Sequence, residues 1–278
     1  MTAVILATAC AIVYGTADFC GGLATRRSRV LSVVALSQVA GFALVLAMMP
    51  VLPGAASEAA ISWGLGAGVA GAAGLVLFYR ALAVGVMSVV APTTAVTSAA
   101  LPVLFGLVSG ERPAVVQVVG VVLALLSVLL VSKGPSAEQP SSPASIAMAL
   151  AAGAGFGGFF ILLAQAPDGS GLWPLVGARL ASISLVVLLA VVTRGTLKPG
   201  GGALGIIALA GVLDMAANVL YLLAEQQGLL SLVAVLVSLY PASTLVLARY
   251  VLGERLQANQ VAGVAFALCA VALIAVAS

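Results

Sequence analysis

No histidine occurs among the 278 residues, and only 7% of the chain is charged. The first absence removes the commonest general base and zinc ligand, and with them any His-Glu metal motif. Without a base beside it, no serine or cysteine is an evident nucleophile. The three cysteines, Cys10, Cys20 and Cys269, all fall in apolar stretches, where a free thiol behaves as a small hydrophobe. They imply neither a disulfide framework nor a metal site. A Gly-x-x-x-x-Gly-Lys-Ser/Thr loop is missing too, which excludes an ATP-driven machine of that type. Nucleic-acid binding would need a basic groove with interleaved aromatics, and the chain has none. No catalytic residue, cofactor, metal or nucleic-acid partner is therefore expected.

What the chain has in quantity is hydrocarbon. Hydrophobic residues make up 63% of it, and its charged fraction lies far below the roughly one-quarter usual for a soluble domain. Lipid is then the solvent. A membrane span needs about 20 predominantly apolar residues, and cutting the chain at its charges, prolines and glycine clusters predicts ten of them. They are Ala3–Leu23, Val30–Leu52, Ile61–Ala81, Val86–Val108, Ala114–Val131, Ala144–Ala164, Leu172–Val192, Leu204–Leu223, Leu229–Leu252 and Val261–Val276. No basic region precedes the first, which argues for a true span over a cleaved signal peptide.

The chain also repeats itself. Gly85, Ser88, Gly110-Glu111-Arg112 and Gln117 reappear 143 residues later as Gly228, Ser231, Gly253-Glu254-Arg255 and Gln260. From Val76 to Ser132 that register holds without a gap, with roughly a third of positions identical. Duplicated hydrophobic halves are a common construction of secondary transporters, whose pathway lies where the halves meet. We divide the chain into a first five-helix repeat (1–133), a linker (134–143) and a second five-helix repeat (144–278). An odd number of spans per repeat makes the second copy enter the bilayer from the opposite side. The fold expected is thus all-α, ten transmembrane helices in two inverted repeats.

Arginine and lysine in short loops favour the cytoplasm. On the ten-span layout Arg26, Arg27, Arg29, Arg80, Lys133, Arg194, Lys198, Arg249 and Arg255 share one side. Arg112 stands on the other, with Glu58, Glu111, Asp168 and Glu225. Both termini are therefore expected outside the cytoplasm, in a multi-pass protein of the cell membrane.

A charge at mid-span costs about 2.5–3.5 kcal/mol on insertion scales, so one that persists usually faces protein or water. Asp214 is the clearest case. With Asn218, Tyr221 and Glu225 it is spaced i, i+4, i+7 and i+11, one stripe along span eight. That stripe either lines a cavity or hydrogen-bonds the bundle together, while Glu225 reads as solvated near the surface. Tyr14 and Asp18 form a similar one-turn pair in span one, where the acid is a candidate proton carrier or simply a partner for Arg26. Arg179, well inside span seven, either neutralises Asp214 or attracts an anionic group. Span four carries Thr94 among other hydroxyls and two prolines; span nine carries Tyr240 next to Pro241. Proline frees a carbonyl, and nearby hydroxyls can satisfy it or a ligand. Glycines 64, 68 and 71 in span three, and 153 and 157 in span six, have spacings that let helices approach closely. Beside the latter pair, Phe156, Phe159 and Phe160 offer an aromatic wall.

Several of these patterns together resemble the EamA family of the drug/metabolite transporter superfamily. They are the Tyr79-Arg80-Ala81-Leu82 end of span three, the Gly-x-x-Ser turn, the late proline (Pro102, Pro241), the Gly-Glu-Arg and the Gln-x-x-Gly that opens the next span. Arg179 in Gly177-Ala178-Arg179-Leu180 is similar to the family's arginine in the second helix of a half. The first half departs from it, with Ser37 or Gln38 nearest that place. The resemblance implies a secondary transporter that exports an amino acid, another small metabolite or a drug by alternating access, as monomer or homodimer, with Tyr79 among its site residues. A lipid-linked flippase is the nearest alternative. An intramembrane aspartyl enzyme would be expected to carry Gly-x-Gly-Asp, and this chain has Gly211-Val212-Leu213-Asp214.

Overall fold

The computed structural model describes the backbone of residues 1–84, 87–132, 142–194, 196–253 and 256–277. It describes their side chains except at 79, 82–84, 87, 88 and 92. Gly85 and Val86 of the Gly-x-x-Ser motif, most of the 134–143 linker, and Glu254 and Arg255 lie outside the described residues.

The described chain is helical, with no strand, as it must be where no water can satisfy an open backbone. The first half gives α1 (Thr2–Thr25), α2 (Val30–Met48), α3 (Glu58–Val84), α4 (Met87–Val108) and α5 (Val115–Ser132). The second gives α6 (Pro143–Ala164), α7 (Trp173–Val192), α8 (Leu204–Glu225), α9 (Leu230–Val237), α10 (Tyr240–Val251) and α11 (Ala258–Val276). Among the described residues nine helical stretches are long and apolar enough to cross a membrane, with Leu230–Val251 taken as one; α5 is a shorter apolar helix. The predicted ninth span is therefore two helices in line. Ser238 ends α9, and Pro241, which has no N–H to give, sits in the first turn of α10.

Helix ends are secured by local side chains where sequence provides them. Ser142 Oγ accepts from Ser145 N–H at 3.2 Å ahead of α6. The duplicated glutamines act alike: Gln117 Oε1 accepts from Ala114 N–H at 2.8 Å, and Gln260 Oε1 from Gln257 N–H at 3.0 Å. Each closes the first turn of the last helix of its half, which explains why the Gln-x-x-Gly opening occurs twice.

Packing repeats as well. The main pairs are α1 with α8 and α3 with α6, α2 with α8 and α3 with α7, α1 with α10 and α4 with α6, and α5 with α11. Exchanging the halves in order converts each pair into its companion, and α5 with α11 into itself. That last pair runs antiparallel. A Cβ on Gly120, early in α5, would stand 2.7 Å from Ile274 late in α11, and one on Gly263, early in α11, 2.8 Å from Val131 late in α5. Only hydrogen fits at these crossings, and the helix axes approach accordingly. The same holds where Gly68 of α3 meets the Ala178 carbonyl of α7, and where Gly211 of α8 meets the Ser37 carbonyl of α2.

Those two crossings fix an alignment that sequence left open. Gly211 follows Gly68 by 143 residues, so their partners Ser37 and Ala178 are equivalent, and so are the next residues, Gln38 and Arg179. The repeat is offset by 141 residues in the second helix of each half, against 143 from the third onward. By the same register Pro241 corresponds to Ser98 and not to Pro102. This accounts for the difference between the unbroken α4 and the divided α9–α10.

Candidate functional site

Where the halves meet, helices from both enclose a cavity of about 300 Å³. That lies at the lower end of the range for small-molecule sites. Its two walls differ in chemistry. Tyr14 and Asp18 of α1, Gln38 of α2, Arg179 and Ser182 of α7, and Asp214 and Asn218 of α8 form the polar one. Gly71 and Leu75 of α3, with Phe156, Phe159 and Phe160 of α6, form the apolar one.

Arg179 organises the polar wall. Its Nη2 pairs with Asp214 Oδ2 and its Nη1 donates to Gln38 Oε1, which also accepts from Ser182 Oγ at 3.1 Å. The arginine is buried, with 9% of its side chain exposed, whereas 39% of the Asp214 side chain is open. The pair is therefore lopsided: the carboxylate is its more open member. Removing one member of such a pair strands a charge in low dielectric, which is far costlier than the pair itself. Asn218 Nδ2 donates to the Asp214 carbonyl at 2.8 Å, and Asn218 Oδ1 has no partner among the described residues.

Asp18 is different. It lines the same cavity, exposed, and its carboxylate has no ion pair or hydrogen bond among the described residues. The predicted alternative, a partner in Arg26, is not made. Tyr14, one turn earlier, packs edge-on against Phe160 at 6.4 Å and tilted against Tyr240 of α10 at 6.2 Å. Tyr240 also lines the cavity.

Of the residues singled out from sequence, Tyr14, Asp18, Arg179, Asp214, Asn218 and Tyr240 come together here. Thr94 does not. It is 3% exposed, and its hydroxyl donates to the Ala149 carbonyl of α6 at 3.1 Å, joining two helices. Tyr221 does not either. The stripe along α8 turns away at that level; its hydroxyl donates to the Phe160 carbonyl at 3.0 Å and its ring packs on Phe160 at 4.6 Å. Glu225 is half-buried at the helix end and no part of the cavity. The Tyr79 side chain lies outside the described residues. Gln38 belongs to the site although nothing in the sequence marks it, since a neutral amide in an apolar run carries no charge to flag it.

The glycines behave as packing devices. Gly64 meets Pro174 of α7, and Gly153 and Gly157 meet Thr97 and Leu101 of α4. Of those five, Gly68 and Gly71 line the cavity, Gly71 beside Phe159.

The model of the EamA-like transporter family matches residues 1–133 and again 143–276. This chain belongs to that family. EamA proteins are members of the drug/metabolite transporter superfamily, so the chain is a multi-pass membrane transporter of that type. A crystal structure of another protein superposes over 98% of this chain and 95% of its own, with a TM-score of 0.79 at 16% identity. At that identity the likeness speaks for the fold, here an EamA fold. No curated protein matches significantly in sequence.

Proposed function

We propose that the chain is a secondary active transporter that exports a small organic metabolite, amino acid or drug by alternating access, coupled to protons at Asp18. The observation that carries this reading is the cavity itself. It lies between two like halves, takes walls from both, and contains a carboxylate with no partner among the described residues. A charge kept at that depth without a counter-ion has to be offset by a proton or a ligand, and alternation between the two is a means of coupling.

In this reading the copies thread the bilayer in opposite senses, residues 1–133 and 144–278 being the two repeats. The antiparallel α5–α11 crossing supports it, as do the contact pairs that exchange between halves. The one-sided distribution of arginine and lysine supports termini outside the cytoplasm, in the cell membrane.

Proteoliposomes with an imposed pH gradient test the coupling. Asp18→Asn is expected to abolish proton-linked flux and to leave exchange of substrate across the membrane measurable. If Asp18→Asn left the proton-linked flux unchanged, the coupling assignment would fall. A reporter active only in the cytoplasm, fused after Ser278, is expected to be silent.

A further inference from the structure

We infer that the cavity selects an organic amine with an aromatic or branched apolar body, and binds such amines in preference to the amino acids that share the same side chain. This deepens the transporter reading and rests on it.

Charge and unpaired groups at the cavity set the choice of ligand. Among the described lining residues there are one cation, Arg179, and two carboxylates, Asp18 and Asp214. Arg179 is committed. Asp214 and Gln38 each hold one of its terminal nitrogens, and only 9% of its side chain is exposed, against 39% for Asp214. Subtracting that neutral pair leaves one negative charge, at Asp18.

Among the described residues, the carboxylate oxygens at the cavity that have no partner are those of Asp18 and Asp214 Oδ1, and both sites accept. An ammonium supplies three donors and no acceptor, and complements such a set. A carboxylate on the ligand would instead face this net negative wall, and would have to displace Asp214 to reach a cation. The rings of Tyr14 and Tyr240 beside the polar wall add faces that attract a cation.

The apolar wall sets the rest of the molecule. Phe156, Phe159, Phe160, Leu75 and Gly71 present ring and alkyl surface, and Phe159 and Phe160 stand edge to face at 5.4 Å. Gly71 keeps that wall open, since a Cβ there would stand 3.2 Å from the Phe159 ring. A purely polar cation would desolvate this surface for nothing.

Binding to the purified full-length chain in nanodiscs, measured by calorimetry, decides the matter without reliance on transport. The probes are tyramine, tyrosine, 4-ethylphenol and 3-(4-hydroxyphenyl)propionate, which share a ring and differ in charge. Tyramine is expected to bind tighter than tyrosine and than 4-ethylphenol by about tenfold or more, the scale of one charge-assisted hydrogen bond. The propionate is expected to bind weakest. Asp18→Asn should erase the tyramine advantage and leave 4-ethylphenol unaffected.

Equal or tighter binding of tyrosine or the propionate would overturn the inference. So would a tyramine advantage that survives in Asp18→Asn; should that variant fail to fold, the wild-type ligand series decides alone. Tyramine that binds as expected but is never carried in proteoliposomes refutes the transporter reading and leaves the site assignment standing. Carriage of an anionic or neutral substrate with no amine binding does the reverse.

Discussion

Gln38 and Arg179 occupy the same place in the two halves, and their side chains meet across the junction, the amide oxygen accepting from the guanidinium. The duplicated chain has thus become unlike itself at its centre. Where the second half has Arg179 and Asp214, the first has Gln38 and Gly71. One ion pair occupies the axis in place of two.

The asymmetry can be rebuilt. Gln38→Arg alone puts a second guanidinium against Arg179 with no second acid, and is expected to lower the thermal midpoint in detergent sharply. Adding Gly71→Asp, at the position equivalent to Asp214, supplies the missing carboxylate and should restore a substantial part of that loss. A double variant no more stable than Gln38→Arg would show that the two positions are not equivalent in space.

Loss of Asp214 exposes the dependence of Arg179 on it. Asp214→Leu is expected to destabilise the protein by about 3–5 kcal/mol, the usual penalty of breaking a buried pair by removing one partner. Replacing both residues, Arg179→Leu with Asp214→Leu, should cost less than the single change. Unfolding of the four proteins of this cycle gives the coupling directly.

Another contact between the halves lies at the start of α9. Glu111, from the first Gly-Glu-Arg, accepts from Leu230 N–H at 2.7 Å and Ser231 N–H at 3.1 Å. A carboxylate on the unsatisfied donors of a helix start gains from both hydrogen bonding and the helix dipole. Glu111→Ala is expected to cost about 1–2 kcal/mol, with faster amide exchange confined to the first turn of α9. Glu111→Gln should cost less, because one oxygen remains to accept.

Pro241 is predicted to keep α9 and α10 apart. Pro241→Ala restores an N–H that can close the ladder across Ser238, so helicity and thermal midpoint are expected to rise while turnover falls. A variant that carries substrate at the wild-type rate would remove the joint from the working parts.

Sequence revealed the spans, the doubling and the buried charges, because each leaves a mark in composition or spacing that packing does not rewrite. Asp214 and Arg179 could be found that way, since ions in hydrocarbon are conspicuous. Gln38 could not. Its importance comes from the helix opposite, and the two-residue slip between the second helices concealed its equivalence to Arg179. Thr94 and Tyr221 show the converse. A hydroxyl looks the same in sequence whether it faces a ligand, its own helix or a neighbour's carbonyl, and only the rotation of α4 and α8 decided for Ala149 and Phe160. Pro241 was legible as a point of bending, but Pro102, which looks like its counterpart, stands four residues further along the repeat and leaves α4 whole.

Every residue of α9 is buried, while of α10 only Ala242 is. The ninth span is therefore anchored at one end and loosely held at the other, with the break at cavity level, where Tyr240 is found. Its counterpart α4 has no such division. The two mouths of the pathway should then open by unlike motions, one by swinging a short rod on a fixed stub, the other by tilting a whole helix, and a substance that jams one movement need not impede the other.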